Sequence, residues 1–126
     1  MLTVDQTSDI QGEFEIHDGT FTTIGAVTVS STGLLDLSEG SYNGIVETAT
    51  SLTINSGGQL EADSAGDIIR STHAAGAYSF TVNGGTVNVT GLSVHNTDSN
   101  GLTINNGSYI SNFSNVVFDD YQGTAF

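Results

Sequence analysis

The sequence predicts an all-β fold, a right-handed parallel β-helix of about five coils, with roughly 25 residues and three short strands in each coil. One observation is a tripeptide of Thr between two apolar residues, which recurs at intervals of 22 to 28 residues along the whole chain. Another is the Asn-, Ser- and Gly-rich segment that follows most copies, because these residues favour turns. No long segment has the apolar spacing of an amphipathic helix. The five copies are Leu2-Thr3-Val4, Val27-Thr28-Val29, Leu52-Thr53-Ile54, Phe80-Thr81-Val82 and Leu102-Thr103-Ile104.

The tripeptides predict the first strand of each coil, with both apolar residues facing inward and Thr facing outward. Neighbouring coils lie about 4.8 Å apart, so residues at equivalent positions form columns along the stack. We expect the five Thr to form an outer ladder. We expect inner columns of Leu2, Val27, Leu52, Phe80 and Leu102, and of Val4, Val29, Ile54, Val82 and Ile104. Asn55, Asn83 and Asn105 should stack at the next corner, with Asp5 and Ser30 in the two remaining coils.

Shorter apolar pairs predict the second and third strands. The second strand is expected at Ile10 and Gly12, Leu35 and Leu37, Leu60 and Ala62, and Val87 and Val89. The third is expected at Phe14 and Ile16, Ile45 and Val46, Ile68 and Ile69, Leu92 and Val94, and Val116 and Phe118. The chain then forms one domain, 1–126, with coils near 1–25, 26–50, 51–78, 79–100 and 101–126. A β-sandwich also has short strands, but it does not predict one tripeptide recurring in phase.

The chain is strongly acidic, with 14 Asp and Glu against one Lys or Arg and a formal net charge of −13. Nucleic acids and anionic membrane surfaces are poor partners for it, because binding to phosphate depends on Lys and Arg. No apolar stretch approaches the roughly 20 residues that cross a bilayer, so we expect no membrane insertion. The chain has no Cys, which excludes disulfides and thiolate zinc sites within it.

The segment 51–60, Ser-Leu-Thr-Ile-Asn-Ser-Gly-Gly-Gln-Leu, resembles the coils of right-handed parallel β-helix proteins. These include secreted adhesins, autotransporter-type passengers, phage tailspikes and polysaccharide-acting enzymes. The resemblance covers essentially the whole chain, but its motifs encode the coil rather than one function. It implies an extracellular or cell-surface protein. We expect a structural role in a fibre, stalk or adhesin shaft, and the alternative is a carbohydrate-active or glycan-binding β-helix.

Asp36 and Glu61 form the clearest pair of candidate catalytic residues. Each lies between two inward apolar residues and at the same distance from the start of its coil, so both should face outward on adjacent coils. A separation of about 5 Å suits a retaining glycosidase, and it suits a cation site or two solvated acids equally well. We expect no enzymatic activity, with glycoside hydrolysis as the alternative. Arg70 alone cannot support a polysaccharide lyase, because such enzymes rely on several basic residues.

Calcium is the one candidate cofactor. The run 96–101 resembles the opening of a calcium-binding loop, in which alternate oxygen-bearing side chains precede a Gly. Its candidate ligands are Asn96, Asp98 and Asn100. Gly107 stands where an EF-hand carries its bidentate Glu, so a polar loop between two strands is the alternative. Asp119 and Asp120, near Tyr121, form a second acidic group, and the three His lack metal-like spacing.

The sequons and the Thr ladder of the outer surface lead to two further predictions. Three N-x-S/T sequons mark candidate N-glycosylation sites at Asn88, Asn106 and Asn112. Asn88 should be exposed, because Val87 and Val89 on either side of it should face inward. The outer Thr ladder also resembles the Thr arrays of ice-binding solenoids, although here only one Thr per coil is expected to face outward.

We expect no capping element at either end of the chain. The first coil should begin in phase at Leu2, and about one coil length follows Leu102. Uncapped coils expose unpaired strand edges, which pair readily with other chains. We therefore expect end-to-end self-association through the terminal coils, with the chain either a whole subunit or a segment of a longer β-helix.

Overall fold

A computed structural model describes residues 2–38, 42–73 and 76–119, and these ranges contain sixteen β-strands and no helix. No described segment is therefore a helix long and apolar enough to cross a membrane. The strands are β1 (Leu2–Val4), β2 (Ser8–Ile10), β3 (Glu13–Glu15), β4 (Gly19–Thr23), β5 (Val27–Val29), β6 (Leu34–Asp36), β7 (Gly44–Thr48), β8 (Ser51–Asn55), β9 (Gln59–Ala62), β10 (Ile68–Ser71), β11 (Tyr78–Asn83), β12 (Thr86–Thr90), β13 (Ser93–His95), β14 (Thr97–Ile104), β15 (Tyr109–Ser114) and β16 (Val117–Asp119).

The strands form three parallel sheets that are stacked as a β-solenoid of about four turns, with about 24 residues per turn. Sheet A has the order β1-β4-β7-β10-β13-β16, sheet B the order β14-β11-β8-β5-β2, and sheet C the order β15-β12-β9-β6-β3. Successive strands of the chain therefore visit sheets A, B and C in rotation. This arrangement confirms the predicted repeat fold with three short strands in each coil.

The core consists of columns of apolar residues that stack in register from coil to coil. In sheet B, Val27 pairs with Leu52 and Leu52 with Phe80, and all three are buried. Stacking places each residue against chemically similar neighbours above and below, and burial of each large side chain contributes roughly 1.5–3 kcal/mol. The equivalent columns of the other sheets contain Leu35, Leu60 and Val87 in sheet C and Phe21, Val46, Ile69 and Val94 in sheet A.

The first predicted coil is wrong by one strand. Leu2-Thr3-Val4 lies in sheet A, where Leu2 pairs with Phe21, and it does not lie beside Val27 in sheet B. The sheet B strand of this coil is Ser8–Ile10, and Ser8 pairs with Val27. The sequence misled because Ser8-Asp9-Ile10 lacks the apolar–Thr–apolar pattern, whereas Leu2 stands one typical coil length before Val27.

The remaining strands of that coil shift in the same way. Ile10 belongs to sheet B rather than to the second strand, and the sheet C partner of Leu35 is Phe14. Phe14 was expected in the third strand, which is formed instead by β4, with Phe21 against Val46. Only the coils that start at Val27, Leu52, Phe80 and Leu102 share the predicted phase.

Corner residues bind neighbouring coils together. Thr48 is buried at the end of β7, where its hydroxyl donates to the carbonyl of Gly25 at 3.0 Å and accepts from the backbone N–H of Thr50 at 3.3 Å. Asp67 is fully buried before β10, and its carboxylate accepts three backbone N–H groups. Burial raises the pKa of Asp67, and these N–H donors offset part of that rise.

Candidate functional site

The outer face of sheet C carries a column of acidic residues. Glu15 pairs with Asp36 and Asp36 with Glu61, so the predicted neighbours Asp36 and Glu61 do lie in register on adjacent strands. The column continues through Asn88 and Asn112, which are neutral. The acids are therefore concentrated in the N-terminal half of this face.

Asp36 belongs to a tighter group than the sequence indicated. Carboxylate oxygens of Glu13, Glu15 and Asp36 all lie within 4.8 Å of one another. Asp36 is only 6% exposed, and its Oδ1 accepts from the backbone N–H of Ser38 at 2.7 Å and from the Ser38 hydroxyl. Glu13 and Glu15 are exposed. The three carboxylates concentrate negative charge at this place, and the two outer ones face solvent.

Sequence reasoning missed Glu13 and Glu15 because it placed Phe14 in the wrong sheet. The alternation of Glu13-Phe14-Glu15, with one apolar residue between two acids, matches a strand whose outer face is acidic. With Phe14 aligned on Leu35, this pattern would have placed Glu15 beside Asp36.

Aromatic rings border the acidic group. His17 Nε2 lies 2.9 Å from Glu15 Oε2, and the His17 ring lies 6.1 Å from the ring of Tyr42 between centroids. Tyr42 is 53% exposed. A cleft of about 250 Å³ beside them is lined by Leu2, Phe14, Glu15, Ile16, His17, Gly19, Thr20 and Phe21. An exposed ring next to carboxylates can stack on a sugar while the acids accept hydrogen bonds from its hydroxyl groups.

The predicted calcium segment lies at an irregular part of β14. Tyr78 pairs with Thr97 and Phe80 with Leu102, so residues 98–101 stand opposite one residue of β11. Asn96 is buried with a φ of 60°, whereas Asn100 is exposed. Asp98 Oδ1 accepts from the backbone N–H of Asn100 at 2.9 Å. Calcium binding by Asn96, Asp98 and Asn100 stays a prediction.

A second ladder of polar side chains follows the outer face of sheet A. It contains Thr22, Glu47, Arg70, His95 and Asp119 in register. Arg70 Nε donates to Glu47 Oε2 at 3.1 Å, and His95 Nδ1 lies 2.6 Å from Asp119 Oδ1. The single Arg of the chain is therefore engaged in this ladder. Asp120 and Tyr121 of the predicted second acidic group lie outside the described residues.

The outer face of sheet B is polar, and the charged residues of its strands are Asp9 in β2 and Asp98 in β14, at opposite ends of the sheet. Its Thr ladder contains Thr28, Thr53, Thr81 and Thr103, and Asp9 rather than Thr3 occupies the first position. The hydroxyl of Ser30 and the amide of Gln11 donate to Asp9, which lowers the pKa of this carboxyl.

The predicted Asn ladder is formed at the following corner. Asn83 Nδ2 donates to Asn55 Oδ1 at 3.3 Å, and Asn105 Nδ2 donates to Asn83 Oδ1 at 3.2 Å. Asp5 is not a member of it, because the residues that precede it lie in sheet A. The amides are thus bonded to one another, and an ice-binding role for this face stays a prediction.

The three sequon residues have different surroundings. Asn88 is exposed between the buried Val87 and Val89, as predicted, and Asn106 is exposed in a turn. Asn112 Nδ2 donates to Thr90 Oγ1 at 2.6 Å and is engaged within sheet C. Of the three, Asn88 and Asn106 present the more accessible side chains for glycosylation.

The chain matches no protein-family profile, no curated protein sequence and no solved structure.

Proposed function

We propose that this protein is a structural component of an extracellular or cell-surface fibre or shaft, in which further coils cover both end surfaces of the solenoid. The observation that carries this proposal is the exposure of inner-column residues at the two ends of the described stack of strands. Leu2 and Ile104 belong to inner columns and are each 51% exposed, whereas Ile54 and Val82, in the same column as Ile104, are fully buried. Apolar residues exposed in this way at a strand edge favour pairing with another strand.

The outer faces support the same role. Side chains on the outer face of sheet A and at the corner after sheet B are hydrogen-bonded from coil to coil, and such ladders stiffen a stack along its axis. The large net negative charge keeps the sides of neighbouring shafts apart, so association is directed to the ends. An extracellular location is favoured by the acidic composition and by the resemblance to secreted β-helices.

Sedimentation across a wide concentration range, with electron microscopy of the same samples, tests this proposal. We expect association that grows with concentration and elongated particles. Ile104→Asp should weaken association by more than about tenfold, because a carboxylate would enter an apolar contact. Thr103→Asp is the matched control, since it adds the same charge at the neighbouring outward position. A chain that stays monomeric at high concentration, with its last coil protected from hydrogen exchange, would contradict the proposal.

Glycan binding is a second candidate function, favoured by the exposed Tyr42 ring beside His17 and Glu15. We expect neutral or amino sugars as ligands, because the carboxylates repel acidic ones. A glycan panel should lose its signal with Tyr42→Ala and keep it with Tyr109→Ala, which removes another exposed ring. If a bound glycan is also cleaved, Asp36→Asn and Glu61→Gln test the predicted catalytic pair, and Glu15→Gln tests the carboxylate that the structure adds.

A further inference from the structure

The dipeptide Asn-Gly occurs four times in the chain, at Asn43, Asn83, Asn100 and Asn106. In this dipeptide the backbone nitrogen of Gly can attack Cγ of the Asn side chain, because Gly has no side chain to obstruct a close approach. A C–N bond forms, the proton of the attacking N–H leaves with the side-chain NH₂ group as ammonia, and a succinimide ring results. Water then opens the ring to give Asp or isoaspartate. Each Asn-Gly is therefore a site at which the chain can modify itself.

At the first of these sites, both groups that would react are hydrogen-bonded to the following coil. The N–H of Gly44 donates to Asp67 Oδ1 at 3.0 Å, in a bond between buried groups. Asn43 is exposed, but its Oδ1 accepts from the Ser64 hydroxyl at 2.8 Å, and its amide lies where a Cβ on Gly66 would stand. A carboxylate is too weak a base to remove the proton of a backbone amide, so Asp67 restrains this nitrogen and does not activate it.

The second site has the same arrangement with different residues. The N–H of Gly84 donates to Ser108 Oγ at 3.0 Å. The side-chain amide of Asn83 donates to Asn55 Oδ1 and accepts from Asn105 Nδ2 within the Asn ladder. The acceptor of the Gly N–H again comes from the following coil, 24 residues along the chain, against 23 residues at the first site. Two Asn-Gly pairs with unrelated surroundings therefore share one form of restraint.

We propose that Asn43 and Asn83 are deamidation sites that the following coil protects. Asp67 protects the first site and Ser108 the second. Succinimide formation requires the Gly nitrogen to leave its hydrogen bond and the Asn side chain to turn toward it. Both movements require two coils to separate locally, so the reaction proceeds only from a small open population. This inference goes beyond the proposed function and does not depend on association between chains.

Deamidation at Asn43 would alter the start of a strand. Gly44 is the first residue of β7 and pairs in register with Gly19 of β4. Isoaspartate adds one carbon atom to the main chain and would displace β7 from this register, which also aligns its buried residues with the core. Either product adds a negative charge to a chain that is already strongly acidic. Protection of this dipeptide therefore preserves the stacking of the coils over time.

Peptide mapping by mass spectrometry, after incubation at mildly alkaline pH, measures the rate of deamidation at each site in the same sample. The replacement of NH₂ by OH raises the mass of the peptide that contains the modified Asn. The natural chain is incubated in its folded state and in urea, where the protection is lost. We expect Asn43 and Asn83 to react at least about tenfold more slowly in the folded chain, because only locally opened molecules react there.

Two substitutions test the protecting residues separately. Asp67→Asn should raise the rate at Asn43 by about tenfold and leave Asn83 unchanged, because only the acceptor of Gly44 is lost. Ser108→Ala should have the opposite selectivity and raise the rate at Asn83 alone. Asp63→Asn, a change at an exposed side chain, is the control and should alter neither rate. Circular dichroism checks that each variant is folded.

The selectivity separates protection of one site from a general loss of stability. If either substitution raises both rates together, the loosening of the whole fold explains the result, and the roles of Asp67 and Ser108 are wrong. Equal rates in the folded chain and in urea would overturn the protection itself. An unchanged rate at Asn83 in Ser108→Ala would overturn the proposal on its own, even if Asp67→Asn did not fold.

Discussion

Asp67→Asn tests whether a buried carboxylate holds two coils together. Asp67 is fully buried, and its Oδ2 accepts from the backbone N–H groups of Asp63 at 3.1 Å and Ser64 at 3.0 Å. Its Oδ1 accepts from the N–H of Gly44, on the preceding coil, at 3.0 Å. An Asn side chain has one oxygen and one NH₂ group, so it can keep the first two bonds only by turning its NH₂ toward Gly44.

The magnitude follows from this mismatch. A buried N–H of Gly44 without an acceptor costs about 1–3 kcal/mol. Asp67→Asn also removes a buried charge, which offsets part of this loss in the free energy of unfolding, because burial disfavours the charged form of Asp67. We expect a net loss of about 1 kcal/mol in the free energy of unfolding, out of the ~5–15 kcal/mol that stabilises a typical domain.

Urea unfolding followed by circular dichroism measures this loss. Asp63→Asn is the matched control, because it makes the same change at an exposed side chain four residues away.

The effect of pH provides a further check. Because the pKa of Asp67 is raised in the folded state, the part of its contribution that depends on protonation is complete below the unfolded pKa of about 3.9 and is lost as pH rises through the folded pKa. The hydrogen bonds of the ionised carboxylate remain above this window. The natural chain should therefore lose stability relative to Asp67→Asn across that window. If Asp67→Asn and Asp63→Asn differ by less than about 0.5 kcal/mol at neutral pH, the bonding role assigned to Asp67 is wrong.

Two further substitutions test the corners. Thr48→Val keeps the shape of the side chain but leaves the carbonyl of Gly25 and the N–H of Thr50 without their hydroxyl partner. We therefore expect the free energy of unfolding in urea to fall by about 1–3 kcal/mol. The outward substitution Thr53→Val is the control and should change it little. Gly58→Ala would place a Cβ 2.3 Å from the carbonyl oxygen of Val29 and should lower the free energy of unfolding by more than about 1 kcal/mol. Gly12→Ala is the control and should be nearly neutral, because a Cβ at Gly12 has no atom within 4 Å. Equal melting temperatures of the two variants would contradict the close approach at Gly58.

The sequence was sufficient to predict the columns of the middle coils. Val27, Leu52, Phe80 and Leu102 recur because stacking gives each the same environment, so one register explains all of them. The Asn ladder followed from the same periodicity. Glu61 was placed beside Asp36 for this reason, and the structure confirms that they are neighbours.

Contacts between unlike residues were not predictable in this way. The burial of Asp67 depends on backbone N–H groups from two coils, and no side-chain pattern records where those groups point. The grouping of Glu13 and Glu15 with Asp36 depended on the alignment of the first coil, which is shorter than the others. A repeat of variable length can be aligned wrongly at its ends, because there a misplaced strand has a neighbour on one side only.

The corners, rather than the tripeptides, carry the information that assigns a strand to its sheet. The sheet B strands β8, β11 and β14 lead into an Asn- and Gly-containing turn, as at 55–58, where Gly57 has a φ of 82° that a side chain would strain. The sheet A strands β4, β7 and β10 end instead on a buried hydroxyl residue, and Val4 pairs in register with Thr23, which precedes Thr48 and Ser71 in the same column. The strand Leu2–Val4 is followed by neither signal, so its own corner does not assign it to a sheet. Its apolar–Thr–apolar pattern suits sheet B, whereas its neighbour in the chain places it in sheet A.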